Sequence, residues 1–595
     1  MSEPHESYRE TQRRLALRQK TVEQQTHLHT LYGRGRILTV LAAALPAWFA
    51  WHDHLFSAWW LLGPLSVFLV LLVRHDRLLR LLERSRRGVE VYAQGIRRME
   101  DRWIGTGIRG ERFVSAGHPY TGDLDIFGRG SLFELLCTAR TQMGETCLAM
   151  WLSAPADPAT VLARQAAVVD LRERLDFREG LATAGEEVRS ALQPQVLVDW
   201  GAKPSEPVAR SVWFFAWGMV ACNLSAAVYG MSGHGYYLLI LLVGLDWILL
   251  WKQRARIQSV LLDTDRPARQ LELLTVLLSR VEQENFNAPL LQEMQAQLRA
   301  GDQPASQRIR RLQTLLAWIG LRRNLLFVVV DSVLLWTVQF AFSIENWRAE
   351  NGVRLAHWTR ILGEFEALIA LANYAYEHPD DPFPEILETG LSLHAEGISH
   401  PLLPERQAVR NTVQLDAATR LYIISGSNMS GKSTLLRTVG INTVLALAGA
   451  PVRASRFALT PIHLGASLRT QDSLQGGISR FYAEIQRLRQ IVDISREQPL
   501  LFLLDEVLHG TNSHDRRVGA EAVLRSLLRE GAVGLLTTHD LTLTQIADDP
   551  VLHAVNAHLE DTIVAGKMHF DYHLRPGIVT RSNAIELMRA VGLEV

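Results

Sequence analysis

Cysteine is scarce in this chain. Its three residues, Cys137, Cys147 and Cys222, form neither a metal-ligand spacing nor a disulfide framework, which fits a reducing compartment. Net charge is missing as well: 62 Lys and Arg offset 62 Asp and Glu, so no global basic bias demands nucleic acid. Any electrostatic partner has to be met by a local patch. The opening stretch, "MSEPHESYRETQRR", holds no apolar run, so a cleaved signal peptide is not expected. The length of 595 residues exceeds one ordinary core and predicts several domains.

What is abundant is apolar length. Mean hydropathy is slightly positive, at +0.03, and tryptophan is frequent. Residues 37–73 hold two apolar runs separated by His52-Asp53-His54, and residues 212–251 hold a second pair broken at "SGHG". A helix that crosses a bilayer needs about 20 apolar residues. These runs reach that length once flanking aromatics are counted, and Trp and Tyr sit at their edges, as at a headgroup level. Arg34 and Arg36 precede the first run, and Arg74, Arg77, Arg80, Arg84, Arg86 and Arg87 follow the second. Arg210 precedes the third run, and Lys252, Arg254 and Arg256 follow the fourth; the two tight connections carry neither Lys nor Arg. This asymmetry predicts two transmembrane helical hairpins in the cell (inner) membrane, entering and returning from the cytoplasm, with everything after residue 252 cytoplasmic. The competing expectation is two buried hairpins of a soluble protein. A further apolar run, residues 324–342, carries Asp331 centrally and is expected as one buried soluble helix, because a central charge is costly in lipid.

The chemistry lies near "LYIISGSNMSGKSTLLRTVG", residues 421–440. Gly426-x-x-x-x-Gly431-Lys432-Ser433 is a full P-loop pattern, with apolar residues before it suiting a buried strand and a helical pattern after it. Helix N-terminal amides favour an anionic phosphate. Lys432 is expected to reach the β- and γ-phosphates of ATP, with Thr434 beside them, and the Ser433 hydroxyl to ligate Mg2+. The stretch "PLLFLLDEVLHGTN", residues 499–512, reads as a second buried strand. Asp505 at its end is expected to hold Mg2+ through water, and Glu506 to orient the attacking water. "VGLLTTHD" supplies a third strand ending at His539, placed to sense the γ-phosphate. Strands, loops and helices in this order predict an α/β P-loop NTPase domain, its ligands at the carboxyl edge of a parallel sheet.

These motifs resemble those of the MutS mismatch-repair family. "GSNMSGKST" is similar to the family's phosphate loop, in which an Asn-Met pair, here Asn428 and Met429, precedes the small residue and the Gly-Lys-Ser-Thr. "DSLQGGISRFYAEIQRLRQIV" resembles its signature segment, with Ser479, Phe481 and Glu484 in step. "DEVLHGTNSHD" is similar to its Asp-Glu stretch, with Asp515 on the later Asp, and "TTHD" to its switch histidine, here His539. The ending "LRPGIVTRSNAIELMRAVGL" resembles the close of its ATPase domain. Upstream, residues 124–152 resemble the opening of the family's core or lever domain, "DPATVLARQAAVVDL" its Arg-Gln helix and "ISHPLLP" the turn into the ATPase. The resemblance implies Mg-ATP hydrolysis in a dimer with composite sites, Ser479 serving the partner's ATP and Asn428 lying near the nucleotide. Departures accompany it. Membrane hairpins occupy the place expected of a mismatch-reading domain, Phe383-Pro384-Glu385 stands just ahead of the ATPase and reads as a loop, and Arg480 replaces the signature Thr.

The resulting expectation is a membrane-anchored MutS-like ATPase in seven parts. They are an N-terminal helix (1–36), a first hairpin (37–73), a basic helical linker (74–119), an all-α lever or core part (120–205), a second hairpin (206–252), a second lever part (253–397) and the ATPase domain (398–595). Expected partners are a second copy through the ATPase domain, membrane lipid and a protein the sequence does not identify. DNA is a further candidate partner, through basic stretches at 83–101 and 308–313, although these equally suit solvated helix faces or anionic headgroups. Two alternatives stand beside this one: DNA mismatch repair at the membrane, and a transporter with a fused ATP-binding cassette, for which "SLQGGIS" has a superficial likeness to the cassette signature.

Overall fold

The computed structural model describes residues 5–51, 58–189, 194–204, 210–250, 267–320, 327–427, 430–468, 480–508, 511–564 and 567–579. It divides into two compact units. The first comprises residues 1–138, 147–175 and 367–595, and the second residues 139–146 and 176–366.

The first unit begins with two long helices, α1 (Glu6–Trp51) and α2 (Leu62–Met99), packed as an antiparallel pair. The expected boundaries at 36/37 and 73/74 fall inside them, because neither helix meets a breaker where polar sequence gives way to apolar. The buried residues of α2, namely His75, Leu78, Leu82, Ser85, Gly88, Tyr92 and Gly95, recur every three or four positions, the spacing of a two-helix seam. The base of the pair is fixed by polar contacts: the Tyr8 hydroxyl donates to Glu100 at 2.7 Å, and the Arg98 guanidinium donates to both carboxylate oxygens of Glu377 at 2.7 and 2.5 Å. At the other end the apolar residues point outward, with Ile37 at 63%, Leu38 at 65% and Trp59 at 77% exposure.

The carboxyl-terminal part of this unit carries two sheets. The smaller has the order β1-β5-β2-β3, from Glu385–Ile386, Arg456–Leu459, Leu393–Ile398 and Asn411–Leu415. The larger has six strands in the order β10-β9-β4-β8-β7-β6. These are Lys567–Pro576, Ala554–Val564, Leu421–Ser425, Val533–Thr538, Leu500–Asp505 and His463–Ser467. Its pairings are parallel except β9 with β10, so the predicted parallel sheet is present with an antiparallel edge. β7 and β8 are apolar and buried on both faces, as central strands covered by helices must be. Phe502, Leu504, Leu524 and Leu536 form the core between this sheet and the helix Ser513–Arg529.

The second unit is helical, with Leu271, Leu274, Leu277, Leu278, Ile309 and Ile344 fully buried. Within it the helix Arg210–Tyr229 packs against Tyr237–Leu250 and against Phe327–Leu334. Asn223 ties the three together, its amide donating to Asp246 at 2.6 Å and to the Val333 carbonyl at 3.2 Å. Outside that polar link the first two helices expose their apolar residues, including Phe214, Val228, Ile240 and Ile248. Among the described residues one helix, Trp213–His234, is long and apolar enough to cross a membrane; Tyr237–Ile248 is apolar but shorter.

The expectation of one buried helix over residues 324–342 is corrected. Its described part is two helices, Phe327–Leu334 and Trp336–Glu377, separated by Leu335 in the left-handed region at φ 48°. Val330 is exposed, so the run is not wholly buried either. Asp331 explains the break. Its carboxylate accepts from the Thr337 backbone N–H at 2.7 Å and from the Thr337 hydroxyl at 2.8 Å, satisfying donors that the start of the next helix leaves open. Replacing Asp331 by Ala should therefore lower stability to denaturant by about 1 kcal/mol, while Asp331→Asn, which keeps an acceptor, should lose less.

Candidate active site

β4 delivers the chain to the carboxyl edge of the larger sheet. A loop follows, and at Lys432 the helix Lys432–Ala448 begins. Two glycines allow the loop's path. Gly431 is left-handed at φ 93°, and a Cβ there would meet the Tyr572 ring at 2.8 Å. A Cβ on Gly426 would meet the Leu559 carbonyl at 2.9 Å. The turn sets the lysine inward. Lys432 Nζ is buried and donates to the Gly426 and Ser427 carbonyls, each at 2.8 Å. The hydroxyls of Ser427 and Ser430 are buried with no hydrogen-bond partner among the described residues. Buried hydroxyls without partners are costly unless a ligand satisfies them, so a cradle with two such groups and a lysine fits an oxyanion.

Asp505 ends β7, opposite Thr537 of β8 in register. The Thr537 hydroxyl donates to the Asp505 carboxylate and accepts from the Glu506 N–H at 3.2 Å. Glu506 is left-handed at φ 47° and its Oε1 lies 3.5 Å from Lys432 Nζ and 3.4 Å from His539 Nδ1. Three residues predicted from separate motifs thus meet at one carboxylate. Leu508 is left-handed too, at φ 58°, and its N–H donates to the buried carboxylate of Glu484 on the helix Arg480–Glu497. That contact anchors the turn carrying Glu506. Asp515 sits in the first turn of the helix Ser513–Arg529, its N–H bonded to the Asn512 side chain at 2.9 Å.

A cavity of about 780 Å3 opens over this edge. Lys432, Ser433, Thr434, Asp505 and Glu506 line it together with His400, Gln407, Asn411 and Tyr572. Asn428, Met429 and Ser479 lie outside the described residues. Sequence reasoning gave no site role to Tyr572 or Asn411. No motif marks them, for they come together only because β10 returns beside β3, where the Asn411 amide donates to the Tyr572 carbonyl at 3.0 Å. His400 and Thr537 stood in quoted motifs but were assigned nothing. Burial, helped by Arg437 and Arg453, pushes the His400 imidazole down to about 4, so it is neutral near pH 7.

Residues 422–594 match the family MutS domain V, a span that includes Lys432, Asp505, Glu506, His539 and Tyr572. The carboxyl-terminal part of the chain is thus a MutS domain V. The chain is 34% identical over 249 residues to the DNA mismatch repair protein MutS of Natronomonas pharaonis, covering 40% of this chain and 28% of that protein. It is 33% identical over 202 residues to the Endonuclease MutS2 of Thermus thermophilus, covering 33% of this chain and 25% of that one. The matched part thus spans about a quarter of either relative's length.

Two outcomes follow from the geometry. Replacing Glu484 by Ala removes the acceptor for a buried N–H and should cost about 1–3 kcal/mol in denaturant unfolding, with Glu484→Gln costing less. For His400 the folded value lies below the unfolded one, so the unfolded chain binds the extra proton between about pH 6.5 and 4. Stability from neutral His400 is complete above that window and lost as pH falls through it. The stability advantage of wild type over His400→Asn should therefore shrink by roughly 1 kcal/mol per pH unit in that window.

Proposed function

We propose that this chain is a membrane-anchored MutS-like ATPase that binds and hydrolyses Mg-ATP as a homodimer, with nucleotide state moving the helices of the lever. The observation that carries the reading is the meeting of Lys432, Glu506 and His539 beside Asp505 at the rim of a cavity whose lining includes Ser433 and Thr434. Lys432, released from its carbonyl partners, is suited to the phosphates. Ser433 and Asp505 would hold Mg2+, which neutralises charge on the phosphate oxygens. Glu506 is the base that orients water, and His539, hydrogen-bond close to it, reads the far end of the nucleotide. Asn428 and Met429 belong to the same loop, and Ser479 completes the partner's site.

Anchoring is the second half of the proposal. It is supported by the outward apolar residues at the tip of α1 and α2 and along Trp213–His234 and Tyr237–Ile248, which water does not favour and lipid does. Arginine-rich flanks then keep the ATP site cytoplasmic, at the inner membrane. A second reading, DNA binding or mismatch repair at the membrane, is favoured by the printed name of the Natronomonas relative. A preference for mismatched over matched duplex in an equilibrium binding assay would support that second reading.

Replacing Lys432 by Ala should reduce ATP turnover on the order of 100-fold or more, measured as phosphate release by the full-length protein. Near-normal turnover contradicts the role. A mixture of Lys432→Ala with Ser479→Ala chains should recover part of the activity that each lacks alone, since one site of the mixed dimer then has both groups. Absence of recovery contradicts the composite site.

A further inference from the structure

The arginines of the α1–α2 pair differ in how they are neutralised. Arg14 is paired with Glu10, Arg80 with Asp76, Arg97 with Glu90 and Arg98 with Glu377. Arg36 has no ion pair with a carboxylate among the described residues. It is held instead by neutral groups: Nη1 donates to His75 Nδ1 at 3.2 Å, and the guanidinium carbon lies 5.4 Å from the Phe68 ring centroid. Its Nε is buried with no hydrogen-bond partner among the described residues.

The His75 contact fixes protons. An arginine only donates, so His75 Nδ1 must be the acceptor and Nε2 carries the hydrogen. That Nε2 donates to His29 Nδ1 at 2.7 Å. Protonation of His75 would set a donor against a donor, and burial together with His29 and Arg36 holds its pKa below the ordinary value.

Arg36 also stands where the two helices change character. Beyond it α1 is apolar, and α2 is apolar up to Val73 and basic from Arg74. At this level a cavity of about 420 Å3 is lined by Gly33, Arg36, Ile37, Val40, Leu41 and Phe68. A Cβ added at Gly33 meets nothing within 4 Å, so the space is open down to the helix backbone. A cation without a carboxylate, at the mouth of an apolar cavity and at the water-to-apolar boundary, complements one kind of molecule. We propose that this cavity binds an anionic phospholipid, its phosphate on the Arg36 guanidinium and its acyl chain along Ile37, Val40, Leu41 and Phe68. The proposal rests on the membrane reading above. A guanidinium is a favoured partner for a phosphate.

The test uses the full-length protein purified in a mild detergent with equal phosphatidylglycerol and phosphatidylcholine, and counts retained lipid by native mass spectrometry. Wild type should retain phosphatidylglycerol over phosphatidylcholine. Arg36→Gln should reduce that preference about tenfold. Gly33→Leu, which fills the cavity from a helical position without touching the charge, should reduce total lipid retention there. Equal retention of both lipids by wild type overturns the proposal, as does unchanged phosphatidylglycerol preference in both variants. Displacement of the lipid by millimolar inorganic phosphate would assign the site to a free anion and also overturns it. Alkaline carbonate extraction of wild type from membranes separates the two failures. Release into the soluble fraction overturns the membrane reading, whereas retention without a phosphatidylglycerol preference overturns the lipid site alone.

Discussion

A buried ammonium at the rim of a parallel sheet is the constraint on which the rest of this chain's chemistry turns. Lys432 is held within the protein by two backbone carbonyls and lies close to the Glu506 carboxylate, so its charge is sheltered from water. A charge in that setting interacts far more strongly with an arriving anion than the same charge at the surface. It is also not idle without one. The carbonyl contacts occupy the lysine, and Glu506 is shared between Lys432 and His539. On the proposed ATPase reading, a nucleotide phosphate reaching Lys432 would redistribute the contacts around Glu506. The turn carrying that residue is tied through Leu508 to Glu484, on the helix that follows the signature segment. Any change at the phosphate end is in this way coupled to the helix beside Ser479.

The two ends of the α1–α2 pair obey different physics. At the base, the heptad-like seam and the Arg98–Glu377 contact make an assembly that water suits. At the tip, large apolar side chains such as Ile37, Leu38 and Trp59 are exposed among the described residues. The same division recurs in the second unit, where the Asn223 amide donates to Asp246 and to the Val333 carbonyl while the helices Arg210–Tyr229 and Tyr237–Leu250 expose apolar side chains. Burying such a polar pair while leaving leucines and tryptophans outside inverts the usual arrangement of a water-soluble bundle. It is the arrangement a lipid environment rewards.

Much of the larger sheet was legible in the sequence because its signals are local. Apolar runs that end in Ser425, Asp505 and Thr538 define strands, and the residues next to those ends gather at one edge once the strands are parallel. What stayed illegible depends on long-range return of the chain. The antiparallel edge strand β10, the position of Tyr572 against the glycine-rich loop and the contact of Asn411 with it join residues some 161 positions apart, which no local pattern marks. The break at Leu335 was hidden for another reason. Its sequence is apolar and helix-compatible, and only the pairing of Asp331 with Thr337 reveals that the aspartate serves as a cap rather than as a buried charge. The positions 36/37 and 73/74 lie within continuous helices because the change from polar to apolar sequence there brings no change of backbone.

The most direct measurement is equilibrium binding of a slowly hydrolysed ATP analogue to the full-length wild-type protein, with and without Mg2+. Saturable binding that tightens when Mg2+ is present is the predicted result. A protein that binds no nucleotide under either condition, while its unfolding remains cooperative, would contradict the account at its centre.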